Sequence, residues 1–381
     1  NWGDCVARLV TDEDEIAGID FISSVHASLP MLSFDEEMTT ITATITTQVF
    51  KDENVGKNYK GYFATYTEEK MKFAGAINQI MALGTEEERS AKAAELFGEK
   101  WELIKKKVKQ YNTPDKFTTI LAYERDSYPW YNNMVIYYNN YEGELLRGET
   151  DGELTKADLA HMLKRDDLIL VPHDTYHLEA GADFNTIPSK LFTPMIEIYS
   201  RGDCAEYMDN PYIKCDFQCE GGFWQDALKR GAKMGCIAGS DDHFTENGLI
   251  SDRYEGLWRY PGITAVLAES NTLSSIFAAL KARRCYGFMG GRMWIDFRIN
   301  GHYMGEEFRE RKERSIYINV KADEKIRKIT LVKNCRDYII MTRAEQMIFD
   351  YKPEKKTDIY YLRVELEDGR CGWTSPIWVK K

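Results

Sequence analysis

The sequence predicts an α/β fold in which a barrel of alternating strands and helices is followed by a small all-β domain. Short apolar runs typical of buried strands end repeatedly on residues that bind metals, and α/β barrels build their active sites at such strand ends. From about residue 295 the pattern changes to alternating β-type segments that tight turns separate. We therefore predict a barrel over 1–295 and a β-sandwich-like domain over 296–381.

Composition limits the partners and the compartment. The chain has 381 residues, of which 43% are hydrophobic and 29% charged, as in ordinary globular proteins. Its formal charge of −11 argues against nucleic acid or an anionic membrane surface as a partner. No apolar run reaches the ~18–20 residues of a membrane span, and no leader resembles a signal peptide. The eight cysteines are expected to be free thiols in the cytoplasm, although a start at Asn1 leaves a removed leader open.

The first part of the chain predicts one strand and a long helical insertion. A strand over 19–22 is followed closely by His26, and residues 31–115 have mostly helical composition. Within this insertion, 59–83 and 85–110 carry apolar residues at three-to-four spacing, and Thr85 is the expected cap of the second helix. The insertion covers the barrel or forms a contact of a homo-oligomer.

Further strands bring metal-binding residue types to the same predicted rim. The predicted strand 117–123 ends on Glu124, 168–171 is followed by His173, and 194–199 carries Glu197. Strand 234–238 leads into Gly239-Ser240-Asp241-Asp242-His243. Asp241 and His243 are two residues apart, so in extended backbone both side chains point the same way. A carboxylate beside an imidazole suits a divalent metal such as zinc, manganese or iron. Helices are predicted over 155–165, with Thr155 as N-cap, 223–230 and 273–284.

Several motifs, most of them after residue 234, are shared with a known group of enzymes. Those after residue 234 are Gly239-Ser240-Asp241-Asp242-His243 and the segments 261–266, 276–286, 295–301, 360–364 and 373–378. Patchier matches before it are 2–4, 18–26, 122–124 and 172–173. On these motifs the sequence resembles the polymerase-and-histidinol-phosphatase superfamily of metal-dependent hydrolases, in a branch with a C-terminal β domain. The resemblance implies a distorted seven-stranded (β/α) barrel. It also implies a site that holds two or three metals and hydrolyses phosphoesters or related bonds.

The sequence departs from the family pattern at the first metal ligands. Where the family has His-x-His, this chain reads Val6-Ala7-Arg8, and the family's Asp-His appears as Val25-His26. A further family histidine is replaced within 129–132. Valine cannot coordinate a cation and arginine would repel one, so we expect a single metal ion. The ligands that the resemblance implies are Glu124, His173, Asp241 and His243, with His26 as a fifth candidate.

The sequence thus predicts a metal-dependent hydrolase, or a lyase, that uses a metal-activated water on a small anionic or polar substrate. Asp241 or the imidazole of His26 is the candidate base, and Arg8 is a candidate to hold a substrate anion in fork geometry. The alternative for Arg8 is a buried structural ion pair. The alternative for the whole chain, favoured by the lost ligands, is a non-catalytic relative that binds a ligand or serves in assembly. Lesser candidates are the rim aromatics Tyr128, Trp130 and Tyr131, and the supporting residues His177 and Glu197.

Overall fold

The computed structural model describes residues 5–9, 21–23, 85–127, 131–146, 155–177, 181–200, 203–213, 218–241, 250 and 255–381. In this part of the chain, strands account for 43% of the residues and α-helices for 17%. The predicted helix over 59–83 and the candidates His26 and His243 lie outside the described residues. For Arg8 only the backbone is described.

The elements follow in chain order. The strands before residue 290 are β1 (Cys5–Leu9), β2 (Phe21–Ser23), β3 (Thr118–Ser127), β4 (Tyr131–Tyr138), β5 (Leu168–His173), β6 (Met195–Ser200), β7 (Asp203–Cys204), β8 (Gly235–Ala238), β9 (Gly262–Val266) and β10 (Cys285–Met289). The later strands are β11 (Met293–Ile299), β12 (His302–Tyr303), β13 (Glu307–Arg309), β14 (Arg314–Ala322), β15 (Ile326–Lys333), β16 (Arg336–Met341), β17 (Glu345–Asp350), β18 (Thr357–Leu366), β19 (Cys371–Thr374) and β20 (Ile377–Lys380). The α-helices are α1 (Glu86–Tyr111), α2 (Lys156–Met162), α3 (Trp224–Lys229) and α4 (Leu273–Lys281).

Three sheets organise these strands. The largest has 13 strands, ordered β13-β20-β18-β19-β10-β9-β1-β2-β3-β4-β5, with β15 joined to β18 and β16 joined to β15. A four-stranded sheet has the order β12-β11-β14-β17, and a three-stranded sheet has the order β7-β6-β8. Buried Phe297, Ile318, Leu331 and Leu362 belong to one apolar core shared by the four-stranded sheet and the strands β15 and β18.

The prediction of a TIM-like (β/α) barrel is wrong, because the fold is rich in antiparallel β-sheet. Consecutive strands β3, β4 and β5 pair antiparallel, with Ala122 opposite Tyr137 and Val135 opposite Val171. Only residues 128–130 separate β3 from β4, whereas a crossover between parallel strands needs about a dozen or more. A short apolar run looks the same for a parallel barrel strand and a buried antiparallel strand, so the pattern alone could not distinguish them.

Two predicted strand ends also need correction. Strand β3 continues beyond Glu124 to Ser127, so Glu124 lies inside the strand rather than at its end. Glu197 lies in the middle of β6, with Ile237 of β8 as its neighbour in the parallel pairing. Both glutamates are buried. Strand register, not a strand end, therefore places these two carboxylates in the interior.

The two predicted helix starts are confirmed. The Thr85 side chain accepts a hydrogen bond from the Glu88 amide at the start of α1, and Glu88 reaches back to the Thr85 amide. Thr155 and Asp158 form the same capping box at α2. These interactions are local, so sequence spacing alone predicts them.

The C-terminal strands that alternation predicted are found, among them β11, β14, β15, β18 and β20. Strand β10, which precedes the predicted boundary at residue 295, pairs antiparallel with β19, which follows it, and Gly287 lies opposite Trp373. Strand β10 also pairs with β9. One sheet therefore runs through both segments, and the division into two domains stays a prediction.

One buried carboxylate joins the early part of the chain to β18 and β19. Glu206, fully buried, accepts hydrogen bonds from the guanidinium of Arg363 at 2.9 Å and from the Tyr361 hydroxyl at 2.6 Å. The indole Nε1 of Trp373 donates a further bond at 2.8 Å. Because every donor comes from a residue more than 150 positions away, this carboxylate fixes the packing of distant segments.

Two further buried carboxylates are paired inside the C-terminal strands. Lys333 Nζ and the Tyr360 hydroxyl each donate to Asp350 Oδ2 at 2.6 Å. Arg314 donates to Asp358 in the same region. Burial would raise the pKa of both aspartates, but these donors outweigh it and hold each pKa below its ordinary value.

We predict that Asp350→Ala lowers the free energy of unfolding by about 3–5 kcal/mol, because it removes the nearer carboxylate of the buried Lys333 ammonium and leaves only Glu354, 3.6 Å away. The measurement is urea denaturation. The control is Glu367→Ala, which breaks an exposed pair with Lys325 and should cost less than about 1 kcal/mol. Equal losses in the two variants would contradict this account.

We also predict a loss of stability in acid that depends on Asp350 and Asp358. A carboxyl whose pKa is lowered by folding stabilises the protein fully above its unfolded pKa of about 3.9, and this contribution is lost as the pH falls through the folded pKa. The urea midpoint should therefore fall steeply between about pH 4 and pH 2. The fall should be shallower in Asp350→Ala, and identical slopes would show that other groups govern it.

Candidate metal centre

The candidate site lies where β5 and β8 end. His173 is the last residue of β5, Asp174 follows it directly, and Asp241 lies three residues beyond the end of β8. Both aspartates have left-handed backbone, with φ of 51° at Asp174 and 44° at Asp241. Non-glycine residues rarely adopt this conformation, aspartate more readily than most, and such residues concentrate at functional sites.

Three ligand-type side chains converge here. The Asp174 Oδ2 atom lies 3.1 Å from His173 Nε2, and Asp241 Oδ2 lies 4.0 Å from the same nitrogen. One donor atom from each of the three residues lies within 4.8 Å of the others. The imidazole is buried, whereas the Asp174 and Asp241 side chains are 19% and 22% exposed, so both carboxylates are partly accessible to solvent.

Glu197 holds the other side of the imidazole. Its Oε2 atom lies 3.1 Å from His173 Nδ1, and both side chains are buried. In its neutral form, a histidine that donates its Nδ1 proton to a carboxylate presents the lone pair of Nε2 to the opposite side, where Asp174 and Asp241 lie. This carboxylate–histidine arrangement is the usual support of a metal-binding imidazole.

Several buried polar atoms around the imidazole have no hydrogen-bond partner within the described part of the chain. They are Oε1 and Oε2 of Glu124, Oε1 of Glu197 and Nε2 of His173. The 3.1 Å contact between His173 Nε2 and Asp174 is close enough for a hydrogen bond, but its geometry does not qualify as one. Buried polar groups without partners are rare and call for an ion or a water.

Burial and mutual charge shift the pKa values in this cluster. Burial, together with the negative charges of Asp174, Glu124 and Glu197, raises the pKa of Asp241 well above its ordinary value, although His173 opposes the shift. Burial lowers the pKa of His173, but Asp174 and Glu197 outweigh it and bring that pKa well above the ordinary value. The cluster thus contains more negative groups than it can keep ionised by itself.

Tyr176 and His177 support Asp174. The Tyr176 hydroxyl donates to Asp174 Oδ1 at 3.0 Å, and the His177 amide donates to the Asp174 carbonyl oxygen at 3.2 Å. Burial would raise the pKa of Asp174, but His173 and Tyr176 outweigh it and lower that pKa. One carboxylate oxygen of Asp174 is therefore held by Tyr176 while the other faces His173.

The structure brings some of the predicted site residues together. His173 and Asp241 are adjacent, and Glu124 is near enough for its charge to raise the pKa of both Asp241 and Glu197.

The backbone of Arg8 lies in β1 opposite Ala265 of β9. His26 and His243 lie outside the described residues, as do Tyr128 and Trp130, so their predicted roles stay predictions. Buried Tyr131 donates its hydroxyl to the Leu191 carbonyl oxygen.

Sequence reasoning missed two residues of this cluster, Asp174 and Tyr176. Asp174 stands directly after His173 in the sequence, so a carboxylate next to the candidate imidazole was a visible signal. The left-handed turn that directs Asp174 back toward His173 was not visible, because it is a property of the backbone. Tyr176 had no distinguishing signal.

No family model matches this chain. The chain is 30% identical over 242 residues to an uncharacterised protein of Chlamydia muridarum, covering 56% of this chain and 38% of the relative. It is 29% identical over 243 residues to one of Chlamydia trachomatis, with coverages of 56% and 38%. It is 24% identical over 310 residues to one of Chlamydia pneumoniae, with coverages of 73% and 49%. The chain thus spans less than half the length of each.

The similar solved structures match less than a quarter of this chain, with TM-scores below 0.2. In the structure of fibronectin(III)-like modules of Clostridium thermocellum CbhA, the match covers 22% of this chain and 96% of the module chain. The sequence identity is 21% and the TM-score is 0.19. An engineered protein matches 23% of this chain and 20% of its own, at 8% identity and a TM-score of 0.18. None of these findings points to the polymerase-and-histidinol-phosphatase superfamily. The (β/α) barrel that the resemblance to this superfamily implied is not the fold of the chain.

None of the helices in the described part of the chain combines the length and the apolar character that crossing a bilayer requires.

We predict that Gly262→Ala disturbs the candidate site from outside it. A Cβ atom at Gly262 would overlap the carbonyl oxygen of Gly239, two residues before Asp241. The segment carrying Asp241 should shift, and zinc affinity should fall about 10–100-fold, as when a supporting residue of a metal site is lost. Zinc titration against a chelating dye measures it. The control is Gly98→Ala in α1, where a Cβ meets nothing within 4 Å and affinity should not change.

Proposed function

We propose that this chain binds one divalent metal ion, zinc, manganese or iron, through His173, Asp174 and Asp241, and that it hydrolyses a small polar or anionic substrate there. The observation that supports this most is the convergence of one imidazole and two carboxylates within 4.8 Å, beside buried carboxylate oxygens that lack partners in the described part of the chain. Three protein ligands with an open position is the usual composition of a catalytic metal site.

A comparison within the molecule supports the need for a cation. Buried Glu206 receives hydrogen bonds from Arg363, Tyr361 and Trp373. Buried Glu124 receives none from the residues that the structure describes. A buried carboxylate without a partner costs several kcal/mol, so Glu124 fits a site that receives positive charge from beyond the described residues, as a bound cation would supply it.

The residues divide the work of such a site among them. Glu197 orients the His173 ring and keeps Nε2 directed at the two aspartates. Tyr176 holds one oxygen of Asp174 and leaves the other for coordination. When bound, a divalent metal would lower the pKa of a coordinated water and polarise the substrate oxygen. In this proposal Asp241 serves as a ligand, and the role of Arg8 as an anchor for a substrate anion stays a prediction.

The proposal includes a cytoplasmic location. The six cysteines whose side chains the structure describes form no disulfide with one another, and five of them are buried. Such thiols persist in a reducing compartment. The alternative is a non-catalytic protein that binds a ligand or serves in assembly.

The test of the metal site is metal content and zinc affinity in four proteins. The parent, expressed in metal-replete medium, should hold close to one metal per chain by plasma mass spectrometry. His173→Ala and Asp241→Asn should each lose it, with affinity reduced about 100-fold or more. The matched control is Asp115→Asn, because Asp115 is an exposed aspartate with the same left-handed backbone, φ 63°, and its loss should leave metal content unchanged.

Two results would contradict parts of the proposal. A parent protein that holds no metal, or a His173→Ala variant that still holds it, would show that His173 does not form a metal site. A loaded parent that turns over no phosphoester, ester or amide in a broad substrate screen, while metal content is normal, would favour the non-catalytic alternative.

A further inference from the structure

Exposed apolar side chains are concentrated on one segment. Among the described residues, seven large hydrophobic side chains are exposed, and five of them lie between 338 and 351. The five are Tyr338, Ile340, Met347, Phe349 and Tyr351. Phe349 and Tyr351 are stacked, with ring centroids 6.3 Å apart. A concentration of exposed apolar side chains is typical of an interaction site.

Strand β17 in this segment is a regular edge strand. It ends the four-stranded sheet and, among the described strands, pairs only with β14, in a register without a bulge. Its central residues 346–349 contain no charge, proline or glycine. The edge strands β7, β12 and β13 have only two or three residues, and edge strand β5 is buried throughout. The pairings of β8 with β6 and of β16 with β15 are interrupted by bulges. Edges are normally protected by such devices, and β17 has none in its centre.

We propose that β17 pairs antiparallel with β17 of a second copy of this chain, so that two four-stranded sheets become one. A strand can pair with its own copy about a two-fold axis only in the antiparallel direction, and each copy then contributes the same surface. The backbone amide and carbonyl groups along the outer edge of β17 would gain partners, as in other β-augmented complexes.

Side-chain alternation selects a register centred on Ile348. A two-fold axis perpendicular to the sheet keeps outward side chains on the same face, so Met347 lies opposite the partner's Phe349. This pair occurs twice and brings a thioether against an aromatic ring, which is a favourable contact. Glu345 then lies opposite the partner's Tyr351, and no like charges face each other. Met347 and Phe349 are both 49% exposed in the single chain, so pairing removes apolar surface from water.

The test is the mass of the full chain in solution, measured by sedimentation equilibrium over a range of concentrations. The parent should approach twice the 44.1 kDa mass of one chain. Phe349→Lys places a lysine at the centre of the pairing and should raise the dissociation constant about tenfold or more. The control is Met208→Lys, a 45% exposed apolar residue outside the segment, which should leave the dimer unchanged.

Hydrogen exchange of the peptide covering 345–351 gives a second readout. Its amides should be protected at concentrations where the dimer forms and should exchange faster on dilution. A chain that remains a monomer at every concentration would overturn the proposal. A dimer that Phe349→Lys leaves intact, with concentration-independent exchange in 345–351, would overturn it as well and place the contact elsewhere.

Discussion

The structure depends on how its buried carboxylates are satisfied. Glu206 is satisfied by Arg363 of β18, and Asp350 by Lys333 of β15, so in both cases the partner comes from another segment and fixes the packing. Charges buried without partners are too costly to persist. Around His173 the same rule applies with a different outcome, because the carboxylates there outnumber the cationic groups in the described part of the chain. That difference separates the candidate site from the structural ion pairs.

Sequence reasoning succeeded where interactions are local. Thr155 caps α2 through residues three positions away, and the capping pattern is legible in the chain. The direction of strand pairing could not be predicted, because the apolar runs of β3, β4 and β5 are the same for parallel and antiparallel neighbours. Strand β17 was missed for a related reason. Its consecutive apolar residues Met347, Ile348 and Phe349 lie on both faces, so it lacks the alternation by which a strand is recognised.

The candidate site was predictable in part. His173 and Asp241 stand two and three residues after apolar runs, and polar residues near strand ends are a usable signal. The burial of Glu124 and Glu197 follows from strand register, which is decided by tertiary pairing. Asp174 joins the site through left-handed backbone, a conformation that no residue spacing specifies. The sequence therefore indicated which residue types lie near the strand ends. It did not indicate the strand register and backbone conformation that bring those residues together.

The pairing of β10 with both β9 and β19 has a consequence for access to the site. A hinge between the segments before and after residue 295 would have to break the backbone pairing of β10 with β19, in which Gly287 lies opposite Trp373. Sheet interiors are among the last parts of a protein to open. The pairing therefore resists a motion in which the two segments swing apart. Within the cluster of His173, Asp174 and Asp241, the two aspartate side chains are the ones that reach solvent.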